Sequence, residues 1–390
     1  MIRLVPNVSF PSGFSQVYSF EETATVRRLH GMIPGYAPTP LVSLDALAGS
    51  LGIGRILVKD ESKRFGLNAF KGLGGTYAMF RIICRKLGLN PNSTTLDDLK
   101  AYSKTISEMD FITTTDGNHG KGVSWVAKVF GCRAHVYMPK GSRSVRAQAI
   151  RDAGNADVEI TDLSYDDCVR MTARLAAEKG YFLIQDTSWE GYEEIPTWIM
   201  QGYTTLFYEA VDQMKSFGID APSHIFLQAG VGSMAGAIAA AAQSAFEKLP
   251  CITLTEPDAA ACFYESFQAA DDNPHAATGN AETIMAGLNC GETCTIAWDI
   301  LKTLARFSIA CSDDITMEGM RALAHPLGQD KAVISGESGA ITLGIVKTVL
   351  ENDRFKHVRE QLGLDQDSVV FLISTEGDTD PDNYRSVVSR

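Results

Sequence analysis

HIFLQAGVGSMAGAIAAAA, residues 224–242, runs from an apolar, β-rich stretch through Gly230, Val231, Gly232, Ser233 and Met234 into an alanine-rich helix. Strand, glycine turn and helix in that order form the repeating half of a parallel sheet covered by helices. Such a turn aims backbone N–H groups and the positive end of a helix dipole at whatever lies before it, so it is a candidate anion site. Glycine lets the chain approach a phosphate closely, and Ser233 adds a hydroxyl donor. The spacing is not that of a dinucleotide loop, because the third glycine has the wrong offset and no acidic residue closes a following strand at the expected distance. It is not a Walker loop either, since no Lys-Ser/Thr pair follows. A structural turn without any ligand is the plainer reading of the same residues.

The pattern repeats on either side. Strands are expected at 55–60, 110–115, 133–139, 157–161, 181–186, 224–229, 251–257 and 368–375. Between them lie helical runs after Lys71 to about Leu87, from His119 to Phe130, Pro196 to Phe217, Met234 to Leu249, Thr316 to Leu327 and Ser338 to Leu350. Their apolar residues recur at three- and four-residue spacing. The fold class is α/β: open, twisted, mostly parallel sheets flanked by helices. At 390 residues the chain exceeds the usual size of one core. We therefore expect a large domain of residues 1–76 and 200–390 and a small, mobile domain of 77–199 inserted in it. Three turns, TTTDGNHGKG, LQAGVGSMAG and ISTEGDTD, follow strand ends, where open α/β sheets bind ligands.

Composition narrows the partners. A formal net charge of −12 argues against a surface built for nucleic acid or anionic lipid, both of which require clustered Lys and Arg. The N-terminal stretch lacks the apolar core of a secretory signal, and no later run approaches the length of a membrane span, so a cytoplasmic location is expected. Eight cysteines include no C-x-x-C pair and no metal site is expected; reduced thiols are the default, though Cys262, Cys290 and Cys294 share a loop-rich region in which pairing is an alternative.

Two further stretches carry chemistry. In NAFKGLGGTYA (68–78), Lys71 opens a helix, although cations are favoured at the opposite end. The placement suits a nucleophilic amine whose charge is suppressed by burial and the dipole; an exposed lysine reaching into water is the alternative. In TTTDGNHGKG (113–122), Thr114, Thr115, Gly117, Asn118 and His119 supply donors for a small carboxylate at a helix start. Asp116 is out of place there, since a carboxylate repels a bound anion unless it serves as a proton base or pairs with a cationic substrate group. Asp116 and Asn118 also suit turn and capping positions, and His119 suits a plain helix start.

The order of lysine turn, asparagine loop, glycine loop and C-terminal serine resembles the fold type II pyridoxal-phosphate enzymes, the group of threonine dehydratase and tryptophan synthase β. PTPLVSL (38–44) also resembles the usual start of that group, and the likeness runs through essentially the whole chain. Within the group, TTDGNHGKGVSW, QDTSWEGYEEIPTWIMQGY and ISTEGDTDPDNY resemble the diaminopropionate ammonia-lyases rather than the threonine dehydratases, which usually carry a small neutral residue where Asp116 stands.

The resemblance implies pyridoxal 5′-phosphate in a cleft between domains. Lys71 would hold it as a Schiff base, Asn118 would bond its 3′-oxygen, and residues Gly230 to Met234 would grip its phosphate. Ser374 would face the ring nitrogen, and Glu337 would line the ring edge or merely cap its own helix. An alcohol at the ring nitrogen makes a weaker electron sink than a carboxylate, which suits elimination. The implied reaction is α,β-elimination of 2,3-diaminopropionate to pyruvate and two ammonia by a homodimer. Lys71 would be the base for the L-isomer and Asp116 for the D-isomer. Asp186 would bind the β-ammonium or assist its departure, or else cap a strand end. Two carboxylates favour a substrate with an additional cation. Alternatives are a serine/threonine dehydratase or sulfur-substituted amino-acid lyase on the same scaffold, a non-catalytic metabolite binder, and a dinucleotide-dependent dehydrogenase.

Overall fold

The computed structural model describes residues 1–8, 16–115 and 117–389, and the chain divides into two compact units. One comprises Met1–Phe20, Pro38–Lys63 and Leu206–Arg390; the other comprises Glu21–Ala37 and Arg64–Thr205.

The first unit holds a seven-stranded sheet in the order Ile2–Pro6, Phe307–Cys311, Cys251–Pro257, His224–Gln228, Val369–Ser374, Arg55–Asp60, Leu41–Ser43. Its interior pairs are all parallel, and both edge strands run antiparallel to their neighbours. His224–Gln228 and Phe307–Cys311 are buried at every position, as parallel strands covered on both faces must be. Phe307–Cys311 and the two edge strands lie outside the sequence expectation, because a five-residue FSIAC and a three-residue LVS are too short to show a period. The helices Asp313–Ala324 and Glu337–Glu351 cross closely at glycines. A Cβ on Gly319 would stand 2.2 Å from Ala340 O, and one on Gly344 would stand 2.0 Å from Ile315 O.

The second unit is built on four parallel strands in the order Ala156–Ile160, Arg133–Met138, Asp110–Thr114, Phe182–Leu183. The strand expected at 181–186 is only two residues long. Ile184 N still bonds Ile112 O, but at the next step the side chain of Gln185 takes the N–H of Thr114. Tyr192 Oη then accepts from Gln185 N and donates to Leu183 O, each at 2.9 Å, so the backbone after Ile184 turns away from the sheet.

Glycines also explain why the helix Gly72–Leu87 belongs to this unit, whereas the sequence reading assigned residues up to 76 to the other domain. A Cβ on Gly122 would come 3.0 Å from Gly72 N and 3.1 Å from Lys71 C; one on Gly202 would come 2.6 Å from Gly74 Cα. The start of the Lys71 helix is thus seated backbone to backbone on Asn118–Phe130 and on the first part of Glu194–Lys215. The chain passes to the first unit inside that last helix, between Thr205 and Leu206.

Candidate active site

Lys71 sits at the cap of Gly72–Leu87 with helical backbone angles, φ −57° and ψ −26°. Its amine is 2.5 Å from Asp186 Oδ2, with 18% of its side chain exposed, and the rings of Phe70 and Tyr203 lie with centroids 5.3 and 5.7 Å from Nζ. The carboxylate compensates for a cation at the positive end of a helix. Burial alone would push the Asp186 carboxyl up; the neighbouring His119 and Lys71 outweigh it and hold it at about 2. We ascribe this mainly to Lys71, because His119 is itself kept from protonating by burial, reinforced by the charge of Lys71 and only partly offset by Asp186.

His119, the second residue of Asn118–Phe130, is 3% exposed. Its Nε2 is 2.8 Å from Ile184 O. A carbonyl can only accept, so Nε2 carries the proton and Nδ1 presents a lone pair. Nδ1 is buried without a hydrogen-bond partner, 3.7 Å from Asp186 Oδ2.

The loop between strand and helix is held by its own side chains. Thr115 Oγ1 accepts from Gly117 N at 2.9 Å and from Gly120 N at 3.0 Å. Thr114 Oγ1 faces Thr172 Oγ1 at 3.0 Å and Cys168 Sγ at 3.6 Å. Both threonine hydroxyls, expected to meet a substrate, are therefore engaged in shaping the loop. Gly117 caps the helix with φ +158°, Asn118 opens it half-buried, and Asp116 lies outside the described residues.

The first unit places Gly230, Val231, Gly232, Ser233 and Met234 at the opening of Ser233–Ala245. Gly232 has φ +93°, and a Cβ there would come 2.3 Å from Phe263 Cζ; one on Gly230 would come 3.1 Å from Gly287 O. No side chain caps this thirteen-residue helix, and Ser233 is buried at its first turn. Ser374 ends the strand Val369–Ser374, buried, with Oγ donating to Glu376 O at 3.4 Å. Glu337 begins Glu337–Glu351 and accepts from Asn383 Nδ2. Sequence reasoning missed Gln228, Ser335 and Ser338. The Nε2 of Gln228 donates to Ile373 O at 2.8 Å and Thr375 Oγ1 at 3.0 Å, yet its Oε1 and the hydroxyls of Ser335 and Ser338 are buried without partners. A polar residue ending an apolar strand was the available signal for Gln228.

A glycine cradle at an uncapped helix start suits a phosphate, and orphaned buried oxygens beside a strand-end serine suit the polar rim of a bound ring. Within the second unit, a partly exposed lysine amine held by the carboxylate of Asp186 suits attachment to a carbonyl. Among the described residues no His, Cys, Asp and Glu gather as a metal site, and no helix is long and apolar enough to cross a membrane. All eight cysteines are free thiols, Cys262, Cys290 and Cys294 included.

Comparison with known proteins agrees with this chemistry. A family model described as pyridoxal-phosphate dependent enzyme matches residues 32–374. The chain is 46% identical over 390 residues to the diaminopropionate ammonia-lyase of Escherichia coli K12, covering 99% of this chain and 96% of that protein. It superposes on that lyase solved with an aminoacrylate-PLP azomethine reaction intermediate, with TM-score 0.92, 45% identity, and coverage of 100% and 97%. The lyase solved with D-serine gives TM-score 0.93 at the same identity and coverage.

Proposed function

The chain belongs to the pyridoxal-phosphate-dependent enzymes and, within them, to the diaminopropionate ammonia-lyases, and we propose on that premise which of its residues carry the reaction. It is a PLP-dependent lyase that performs α,β-elimination on 2,3-diaminopropionate, giving pyruvate and two ammonia with uptake of one water. No finding favours a dehydratase, a silent binder or a dehydrogenase.

Lys71, Asn118, Gly230, Val231, Gly232, Ser233, Met234, Glu337 and Ser374 would hold the cofactor. When bound, it supplies an electron sink next to the substrate's Cα. The backbone donors of Gly117 to His119 orient the substrate carboxylate. Lys71 Nζ takes the Cα proton of the L-isomer. Asp116 takes that of the D-isomer from the opposite face, a role supported by its position in TTTDGNHG and by the D-serine complex of the Escherichia coli lyase. Asp186 receives the β-ammonium. The observation that carries this reading is the buried carboxylate of Asp186, ionised and 2.5 Å from the amine of Lys71. A cationic β-substituent pairs with it more strongly than the neutral hydroxyl of serine or threonine. We further infer a homodimer, a cytoplasmic location in keeping with eight free thiols, and a 77–199 segment that closes over substrate.

The test is pyruvate and ammonia release from L- and D-2,3-diaminopropionate beside L-serine and L-threonine. Two ammonia per pyruvate from both diaminopropionate isomers supports the reading, with Lys71→Ala inactive on each and Asp116→Ala losing only the D-isomer. Turnover of serine or threonine alone would overturn it.

A further inference from the structure

The strands His224–Gln228 and Val369–Ser374 are neighbours that part before they end. Their backbones pair at Val370 with His224 and at Phe371 with Ile225 and, among the described residues, at no later position. On its other side each strand stays paired to its last residue, Ser374 opposite Asp60 and Gln228 opposite Thr255. The opening therefore lies between these two strands, at carboxyl ends, where open α/β sheets receive ligands. The side chain of Gln228 spans it. Its Nε2 donates to Ile373 O at 2.8 Å and to Thr375 Oγ1 at 3.0 Å, the residues immediately before and after Ser374, and lies 3.2 Å from Ser338 O. Ile373 and Ser338 present carbonyls, which only accept, so the amide is fixed with its nitrogen toward them.

That orientation leaves Oε1 buried without a donor, on a residue 3% exposed. A buried acceptor with no partner destabilises, and an apolar side chain would have avoided it while continuing the run of Ile225, Phe226 and Leu227. What the glutamine contributes is the reach of its nitrogen, and both of its shorter bonds fall on the flanks of Ser374. Resting on the reading above that places Ser374 at the ring nitrogen of the cofactor, we propose that Gln228 is the positioning residue for Ser374.

The carboxamide supplies donors that its own backbone, having parted from the neighbouring strand, no longer offers. It ties Ile373 O and Thr375 Oγ1 across the opening, so the backbone of Ser374 is held from before and behind. The bond of the Ser374 hydroxyl to Glu376 O is long, at 3.4 Å, so the position of Oγ follows that of its backbone. Hydrogen bonds weaken steeply as distance and angle leave their optimum, and a strand end free to shift would present the hydroxyl poorly. With the cofactor bound, the ring nitrogen governs how strongly the ring draws electrons. Gln228 acts on that nitrogen through Ser374.

The experiment is nitrogen NMR of the full chain loaded with pyridoxal phosphate carrying a labelled ring nitrogen. Ser374→Ala sets the scale, because it removes the hydroxyl and shifts the ring signal by the whole effect of that bond. Gln228→Met keeps the length of the side chain and removes both donors. Its ring signal should move in the same direction, by roughly half of that shift or more. Gln228→Asn keeps the amide but is one methylene too short to reach both flanks, and should move the signal the same way; it decides the matter should Gln228→Met not fold. A lowered thermal midpoint with the ring signal left at its wild-type position would make Gln228 a structural residue and overturn the proposal. A signal unmoved in Ser374→Ala itself would remove Ser374 from the ring nitrogen, and the proposal with it. A shift in Ser374→Ala with none in the Gln228 variants would strike the positioning role alone.

Discussion

Gln185 Oε1 accepts the backbone N–H of Thr114 at 3.0 Å, the place in a parallel ladder where the carbonyl of the next strand residue would stand. A side chain thus ends the sheet one residue before Asp186 and frees that carboxylate to turn toward Lys71. Gln185→Leu should leave the N–H of Thr114 buried and unpaired. We expect a loss of about 1–3 kcal/mol in denaturant unfolding. Diaminopropionate turnover should fall with it, because Asp186 would no longer be held in position. Lower stability with unchanged turnover would show that strand termination does not set the carboxylate.

The crossing of Gly74 and Gly202 supports the helix that begins after Lys71. A methyl on Gly202 would come 2.6 Å from both Gly74 Cα and Leu73 O, backbone atoms that cannot swing aside. Gly202→Ala should therefore destabilise the protein by about 1–3 kcal/mol through overpacking, read as a fall of a few degrees in thermal midpoint. Gly31→Ala is the control. It lies in the helix Ala24–Met32 with open space around it, and should be neutral or stabilising by about 1 kcal/mol. Equal midpoints for the two variants would show that the crossing yields to the methyl.

Gly232 joins two demands at one residue: left-handed backbone, φ +93°, and a Cβ position 2.3 Å from the ring of Phe263. In Gly232→Ala the backbone strain alone is about 1–3 kcal/mol, and relief requires the turn to move. The N–H groups of the helix start would then miss a phosphate. Pyridoxal phosphate should be held at least tenfold more weakly, about 1.4 kcal/mol, measured by loss of the yellow chromophore on dialysis. Full retention of colour would separate the turn from the cofactor.

The two sheets were legible because interior parallel strands are continuous apolar runs between glycine turns. Arg55–Asp60 and Cys251–Pro257 fall where the sequence put them. Edge strands were not, since pairing at Leu41–Ser43 is decided by a neighbour far along the chain. In the site, Lys71 and the 230–234 turn declared themselves by being electrostatically or sterically odd. Gln185, Gln228 and Tyr192 did not: each replaces a backbone partner whose absence appears only after the strands are laid side by side. His119 read as a helix-start residue because its meaning depends on Ile184 and Asp186, 65 and 67 positions further on.

Glu256 provides a pH signature distinct from the chemistry. It lies within the strand Cys251–Pro257, and burial pushes its carboxyl up to about 7, although Ser308 Oγ and the N–H groups of Phe263 and Tyr264 donate to it at 2.7, 2.8 and 2.8 Å. Between its ordinary value of 4.5 and about 7 the folded chain keeps a proton that the unfolded chain has released. The folded state binds more protons there, so stability falls as pH rises through the window and levels off above it. The drop is up to roughly 3 kcal/mol. Glu256→Gln carries no proton to lose. Urea midpoints of wild type and Glu256→Gln, taken from pH 5 to pH 8, should therefore diverge, with wild type losing ground as pH rises. Parallel curves would mean that the three donors keep Glu256 ionised throughout, and that the helix Cys262–Ala269 begins on a permanent anion.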